Sequence, residues 1–178
     1  GAHTEVHSLQ KGLGKMLTHK GTQTIETPRL ILRKARMEDA EPMFRNWAND
    51  AEVTKFLTWP AHGSIEVSER VLASWVDCYQ KDDYYQWMIV LKEINEPIGS
   101  IMASTVGRAK CAHIGYCIGK TWWHQGIMTE TLNAVMDFLF DEVGYHRVEA
   151  MHDPNNPNSG AVMRKCGMQY EGTLRMAD

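Results

Sequence analysis

Apolar residues recur at two different periods along this chain, and the change from one period to the other divides it into elements. RLILRKA, from Arg29 onward, is rich in leucine and isoleucine and follows Pro28, which marks the start of a strand. Ala40, Met43, Phe44 and Trp47 then fall at i, i+3, i+4 and i+7, with Glu38 and Asp39 in the opening turn, and predict a helix. After a loop containing Trp59 and Pro60, the four-residue steps of Val67, Val71, Trp75 and Tyr79 predict a second helix. YYQWMIVLK, IGSIMAS and AHIGYCI read as three strands. They are separated by the Asn95-Glu96-Pro97 turn and a connection through Gly107, both short enough to impose antiparallel pairing.

The period lengthens again at Leu132, Val135, Met136, Leu139, Phe140 and Val143, an amphipathic helix that Gly144 ends, and RVEAMH returns to a strand. A strand, a helix and a strand in this order imply a parallel crossover. A last helix is expected from Ser159, as its N-cap, to Gly167, followed by a final strand in QYEGTLRM. The fold class is therefore α+β: a mixed sheet flanked by helices, antiparallel in its N-terminal half and with a parallel crossover in its C-terminal half. Residues 1–24 have weak periodicity and many small or polar residues, and read as a flexible leader preceding a domain at 25–178. Met16 is a candidate natural start, which would make the residues before it an alternative leader or vector-derived sequence.

Composition narrows the function. A chain of 178 residues with 43% hydrophobic and 23% charged residues fits one globular domain. A net charge of −3 and a pI near 6.3 provide no basic excess for nucleic acid. No apolar run approaches the roughly 20 residues that span a bilayer, so neither a membrane nor a secretory route is expected, and the expected compartment is the cytoplasm. Cys78, Cys111, Cys117 and Cys166 form no C-x-x-C pair. His113, His124, His146 and His152 fall in different predicted elements without H-E-x-x-H spacing, so no metal is expected. Most of Trp59, Trp75, Tyr84, Tyr85 and Trp87 should be core, with an aromatic acceptor pocket as the alternative. Glu149 and Glu171 read as ordinary sheet or surface residues.

Chemistry concentrates in residues 112–140, where a strand runs through a glycine-containing turn into the amphipathic helix. Such a turn aims several main-chain N–H groups at one point with the helix dipole behind them, and Gly126 admits a phosphate without a Cβ in the way. Past the next strand, Asn156, Asn158 and Ser159 stand at the mouth of a second helix, either as ligand contacts or as helix caps.

At these segments the chain resembles the GNAT acetyltransferases, and within them the RimJ/RimL-like branch. TPRLILR at 27–33 is similar to its opening strand, IGY at 114–116 to its central strand, and WHQGIMTE at 123–130 to its pyrophosphate loop. NPNS with CGM is similar to its N-x-x-S…K-x-G-F region. The resemblance spans residues 25–178 and implies acetyl coenzyme A as co-substrate. Its pyrophosphate would rest on the main chain of Trp123, His124, Gln125, Gly126, Ile127, Met128 and Thr129. The pantetheine arm and acetyl carbonyl would meet Asn156, Asn158, Ser159 and the N–H groups of Cys117 and Ile118. Trp123 and Met128 depart from the broader family, which has Gln or Arg and then Gly or Ala there.

Direct attack by an amine on the thioester needs no enzyme nucleophile. The resemblance makes Ser159 the candidate to hydrogen-bond the departing sulfur, and His113 or Asp178 is the candidate base. The acceptor is a primary amine, either a protein N-terminal α-amine or a small molecule, and a non-catalytic acyl-CoA-binding module is the third reading. The family fold carries one more strand than this chain provides after residue 178. That strand is expected to be missing or supplied by another segment, and an uncovered sheet edge would favour a homodimer.

Overall fold

Every residue of Tyr85–Leu91 is buried, on both faces of the strand, so apolar cover is required above and below it. The computed structural model describes residues 3–11, 16–55, 57, 59–107, 110–152 and 157–175. In chain order these form β1 (His3–Gln10), β2 (Ile25–Glu26), β3 (Leu30–Arg33), α1 (Ala40–Met43), α2 (Ala51–Thr54) and α3 (Ile65–Cys78). Then come β4 (Tyr85–Leu91), β5 (Glu96–Val106), β6 (Cys111–Ile118), α4 (Ile127–Asp137), β7 (Arg147–His152), α5 (Pro157–Lys165) and β8 (Gln169–Arg175). Around α1 the helix predicted from the spacing tightens to a 3-10 turn at Met37–Asp39 and widens to a π turn at Phe44–Ala48. The carboxylate of Asp39 fixes its start, accepting bonds from Arg36 N and from both Nη atoms of Arg33 at 2.9 Å each.

The described strands make one sheet in the order β2-β3-β4-β5-β6-β7-β1-β8, antiparallel except for the parallel pair β6 and β7. One face buries Leu30, Leu32, Trp87 and Ile101 against Leu132, Val135, Leu139 and Phe140 of α4 and the π turn that extends it. The other buries Met88 and Val90 against Met43, Trp47 and Leu72. Trp123 packs against both clusters. Among the described residues no helix is long and apolar enough to cross a membrane.

The structure corrects two expectations. The leader is not flexible over residues 3–10. It forms β1, lodged between β7 and β8 in the region of the sheet where a further strand was looked for. Its alternation was disguised because its buried positions include His7 and Ser8, at 1% and 4% exposure, rather than aliphatic residues. Its partners, moreover, lie at the far end of the chain. Residues 16–24 carry no regular element but are also bound to the body: Thr18 N donates to Val143 O at 2.8 Å, Gly21 N to Asp82 O at 2.7 Å, and Trp87 Nε1 to Gln23 O at 2.7 Å. The second correction concerns the last helix, which begins at Pro157, so Ser159 lies inside its first turn instead of capping it. Gly167, at φ 81°, stops the chain after it as expected.

An ion pair on the other face of this corner ties β1, β7 and β8 together. Arg147 donates from Nη1 and Nη2 to the two oxygens of Glu171 at 2.7 and 2.5 Å, and the Ser8 hydroxyl also donates to Glu171. The guanidinium, and after it the Ser8 hydroxyl, hold the Glu171 carboxyl down at about 2. A depressed carboxyl contributes stability above its unfolded value and loses it as pH falls through the folded one. The stability difference between the parent and Glu171→Gln is therefore expected to be constant above pH 4.5 and to shrink as pH falls toward about 2. Urea unfolding at stepped pH measures this, and a difference that does not change over that window would disprove the coupling.

Candidate active site

Parallel pairing between β6 and β7 runs from Cys111↔Arg147 to Ile114↔Ala150 and stops, although both strands continue. On its other side β6 stays paired with β5 as far as Gly99↔Ile118. Gly115 to Ile118 therefore lie beside a gap on the β7 side. Gly119 N donates to Ile98 O of β5, so by alternation the main chain of Cys117 also faces β5, and it is that of Tyr116 and Ile118 that faces the gap without a ladder partner. The expectation that Cys117 and Ile118 both present N–H groups there is corrected to Ile118. Trp123 Nε1 donates to Ile118 O at 2.9 Å and fixes the end of the strand.

A cavity of about 220 Å³ opens at this gap. Tyr116, Cys117 and Ile118 of β6 line it, as do Trp122 to Thr129, Ser159 with other residues of α5, and Val53 and Leu57 from the region of α2. The structure thus gathers into one wall the residues singled out from two separate stretches of sequence. Of the remaining candidates, Asn156 and Asp178 lie outside the described residues, as does the side chain of Asn158.

The loop before α4 has two left-handed residues, His124 at φ 62° and Gly126 at φ 77°. For histidine this conformation costs about 1–2 kcal/mol, and successive turns of this kind point neighbouring N–H groups to one side. Ile127 and Met128 are buried, so their side chains serve the core, and what the first turn of α4 offers to the cavity is main chain. The Gln125 side chain turns back to donate to Thr121 O at 3.0 Å.

Sequence reading missed what holds this loop. Glu130 accepts from Thr27 Oγ1 at 2.6 Å, from Arg29 N at 3.0 Å and from Arg29 Nε at 2.8 Å, while Arg29 Nη1 donates to Gln125 O at 2.9 Å. The start of the opening strand is thereby a brace for the loop. Burial would raise the Glu130 carboxyl, but the Thr27 and Arg29 bonds outweigh it and leave it lowered, hence ionised. The signal was present as polar residues in TPRLILR and as the glutamate after the loop, without anything to say that they meet.

Beside the gap, the Tyr116 hydroxyl lies 2.9 Å from Ser159 Oγ and 3.1 Å from Ser159 O. Burial pushes the phenol well above its ordinary value, so it stays protonated as a donor. Cys117 bonds the Ser100 hydroxyl at 3.7 Å, and burial raises its thiol, which leaves it an inert lining residue. On the opposite face of β6, His113 Nδ1 is 3.4 Å from Glu149 Oε1.

A parting parallel pair, a main-chain cradle at a helix N-terminus and a cavity between them define the class: an acyltransferase site for a phosphate-bearing acyl carrier. Residues 29–169 match the acetyltransferase (GNAT) domain model. The chain is 32% identical over 152 residues to the N-acetyltransferase YoaA of Bacillus subtilis, covering 85% of each protein. It is 33% identical over 79 residues, 43% of this chain and 41% of the relative, to the [ribosomal protein uS5]-alanine N-acetyltransferase of Escherichia coli. The crystal structure of RimL, a ribosomal L7/L12 α-N-protein acetyltransferase in complex with coenzyme A, superposes with a TM-score of 0.74 at 24% identity, covering 84% of this chain and 86% of that one. The chain belongs to the GNAT acetyltransferase family. It is an N-acetyltransferase whose donor is acetyl coenzyme A.

Removing the brace should loosen the cradle and leave the fold intact. Arg29→Ala is expected to weaken acetyl coenzyme A binding about tenfold, the equivalent of one lost charge-assisted hydrogen bond. Gly126→Asp should abolish binding, since φ 77° strains any residue with a Cβ there and its carboxylate would repel the pyrophosphate. Calorimetry reads both, and unchanged affinity in Gly126→Asp would remove the loop from the donor site.

Proposed function

We propose that this chain acetylates the α-amino group of protein N-termini. The observation that carries this reading is the openness of the acceptor side. Beyond the part of β5 that α1 and the π turn after it pack against, the face of β5 to β7 that bears Met102, Val106, His113 and Glu149 is open to solvent among the described residues: Met102 and Val106 are 40% and 42% exposed, and His113 keeps about a third of its side chain accessible. An exposed sheet face beside the gap accommodates an extended peptide, whereas a small amine is best held in a closed pocket. The ribosomal-protein acetyltransferases among its relatives support the same acceptor class.

His113, Gly115 and Cys117 share this face of β6, and Gly115 places no side chain between the other two. His113 to Cys117 spans about 13 Å of strand, so His113 takes the proton from the ammonium only through a chain of several waters, and Glu149, 3.4 Å from its Nδ1, positions the ring. The amine nitrogen then bonds to the acetyl carbon as the carbon–sulfur bond breaks. The N–H group of Ile118, on the gap side of β6, receives the carbonyl oxygen. Ser159 passes a proton to the departing sulfur and regains one from water, and Tyr116, whose hydroxyl lies 2.9 Å from Ser159 Oγ, holds the serine in place for this. The amine's second proton passes to solvent.

Release of coenzyme A thiol, measured over a panel of N-terminal peptides and small amines, tests the acceptor. Peptides should lead in kcat/KM, and a preference for free small amines would reverse the assignment. His113→Ala and Ser159→Ala should each lower kcat about 100-fold with acetyl coenzyme A affinity unchanged; a wild-type kcat in His113→Ala would eliminate it as base.

A further inference from the structure

Two histidines and a glutamate that acetyl transfer does not use converge where β1 meets β7. Glu5 and His7 are two positions apart on β1 and so lie on one face. Glu5 stands directly opposite His152 of β7 in the register, and His7 opposite Ala150. One ligand atom from each of Glu5, His7 and His152 falls within 4.8 Å of the others, and His152 Nε2 is 3.1 Å from Glu5 Oε2. Both histidines are buried, and His7 Nδ1 has no hydrogen-bond partner. A buried ring nitrogen left unpaired is costly, a cost that a ligand held there would remove.

We propose that Glu5, His7 and His152 form a divalent metal site, best suited to Zn²⁺, that clips the N-terminal strand to the sheet. Two ligands from alternate positions of one strand and a third from across the ladder give a three-point donor set without loop rearrangement. Two imidazoles and a carboxylate are a zinc donor set that leaves one position to water. At metal–ligand distances of about 2.0–2.1 Å, tetrahedral ligand atoms lie about 3.4 Å apart, so closure needs side-chain shifts of about 1.5 Å at most. The positive charge of Arg164 acts on His7 and opposes a bound cation, and the Glu5 carboxylate offsets it. The Tyr170 ring stands 5.7 Å from that of His7, and α5 passes so close that a Cβ on Gly160 would lie 2.9 Å from the His152 ring, which closes the site on that side.

Spacing along the chain gave no sign of this, because His7 and His152 come from opposite ends of the sequence. The test requires no acetyl transfer. Full-length protein stripped with EDTA is titrated with Co²⁺, which reports four-coordinate nitrogen and oxygen ligation through intense visible absorption, and Zn²⁺ affinity follows from competition. One equivalent is expected, with His7→Gln and His152→Gln each binding more than about tenfold more weakly. Zn²⁺ should raise the melting temperature of the parent alone. Binding in His7→Gln that equals the parent, or a parent without the visible bands, overturns the proposal. Should the variants not fold, ring nitrogen NMR shifts in the parent decide: those of His7 and His152 must move on one equivalent of Zn²⁺ and return with EDTA, and shifts that stay fixed overturn it equally.

Discussion

The parting of β6 from β7 beyond Ile114 and Ala150 is the constraint on which the rest of this structure depends. A gap between neighbouring strands leaves polar main chain without ladder partners, a cost that proteins tolerate only where something else holds the strands. Here each strand is secured on its outer side. β6 remains paired with β5 to Ile118, and β7 with β1 to His152. The N-terminal strand thus has a part in the site although no residue of it lines the coenzyme cavity. It supplies the ladder that allows β7 to leave β6 without becoming an edge.

The cradle at α4 depends on a comparable compensation. Two left-handed residues separated only by Gln125 are a strained way to enter a helix, and His124 lacks glycine's exemption from the penalty. Glu130, ionised and holding Thr27 and Arg29, opposes that strain by binding the first turn of α4 to the opening strand. A loop fixed before the donor arrives loses little freedom on binding it, so the brace acts on affinity through order already established rather than through contact.

Much of this was legible locally. Period-2 and period-3.6 patterns placed the strands β3 to β8 and the helices α3 and α4, and a glycine between strand and helix marked the cradle, because these signals are written in neighbouring residues. What escaped was written between distant ones. β1 hides its alternation behind buried His7 and Ser8, whose burial makes sense only beside β7 and β8. The Glu130 brace, the bond between Tyr116 and Ser159 and the pair of His113 with Glu149 each join segments whose meeting the sheet order determines. The position of Ser159 in the helix was misjudged for a local reason: Pro157 suits the first turn of a helix as well as Ser159 suits a cap.

Register along β6 then divides the proposed chemistry between the two faces of one strand. Ile114, Tyr116 and Ile118 point toward α4 and α5, and His113, Gly115 and Cys117 toward the other face, which is open at His113 and covered by the α1 cluster at Cys117, because successive side chains alternate. Tyr116 therefore meets Ser159 on the side where a sulfur would depart, while His113 stands on the side from which an amine would arrive. A slip of one residue against β5 would exchange the two sets and place an imidazole in the apolar core. The buried side chains of Ile114 and Ile118 make that slip prohibitive. Hydrophobic burial, which carries no chemistry of its own, is thus what assigns proton acceptance to one face and proton donation to the other.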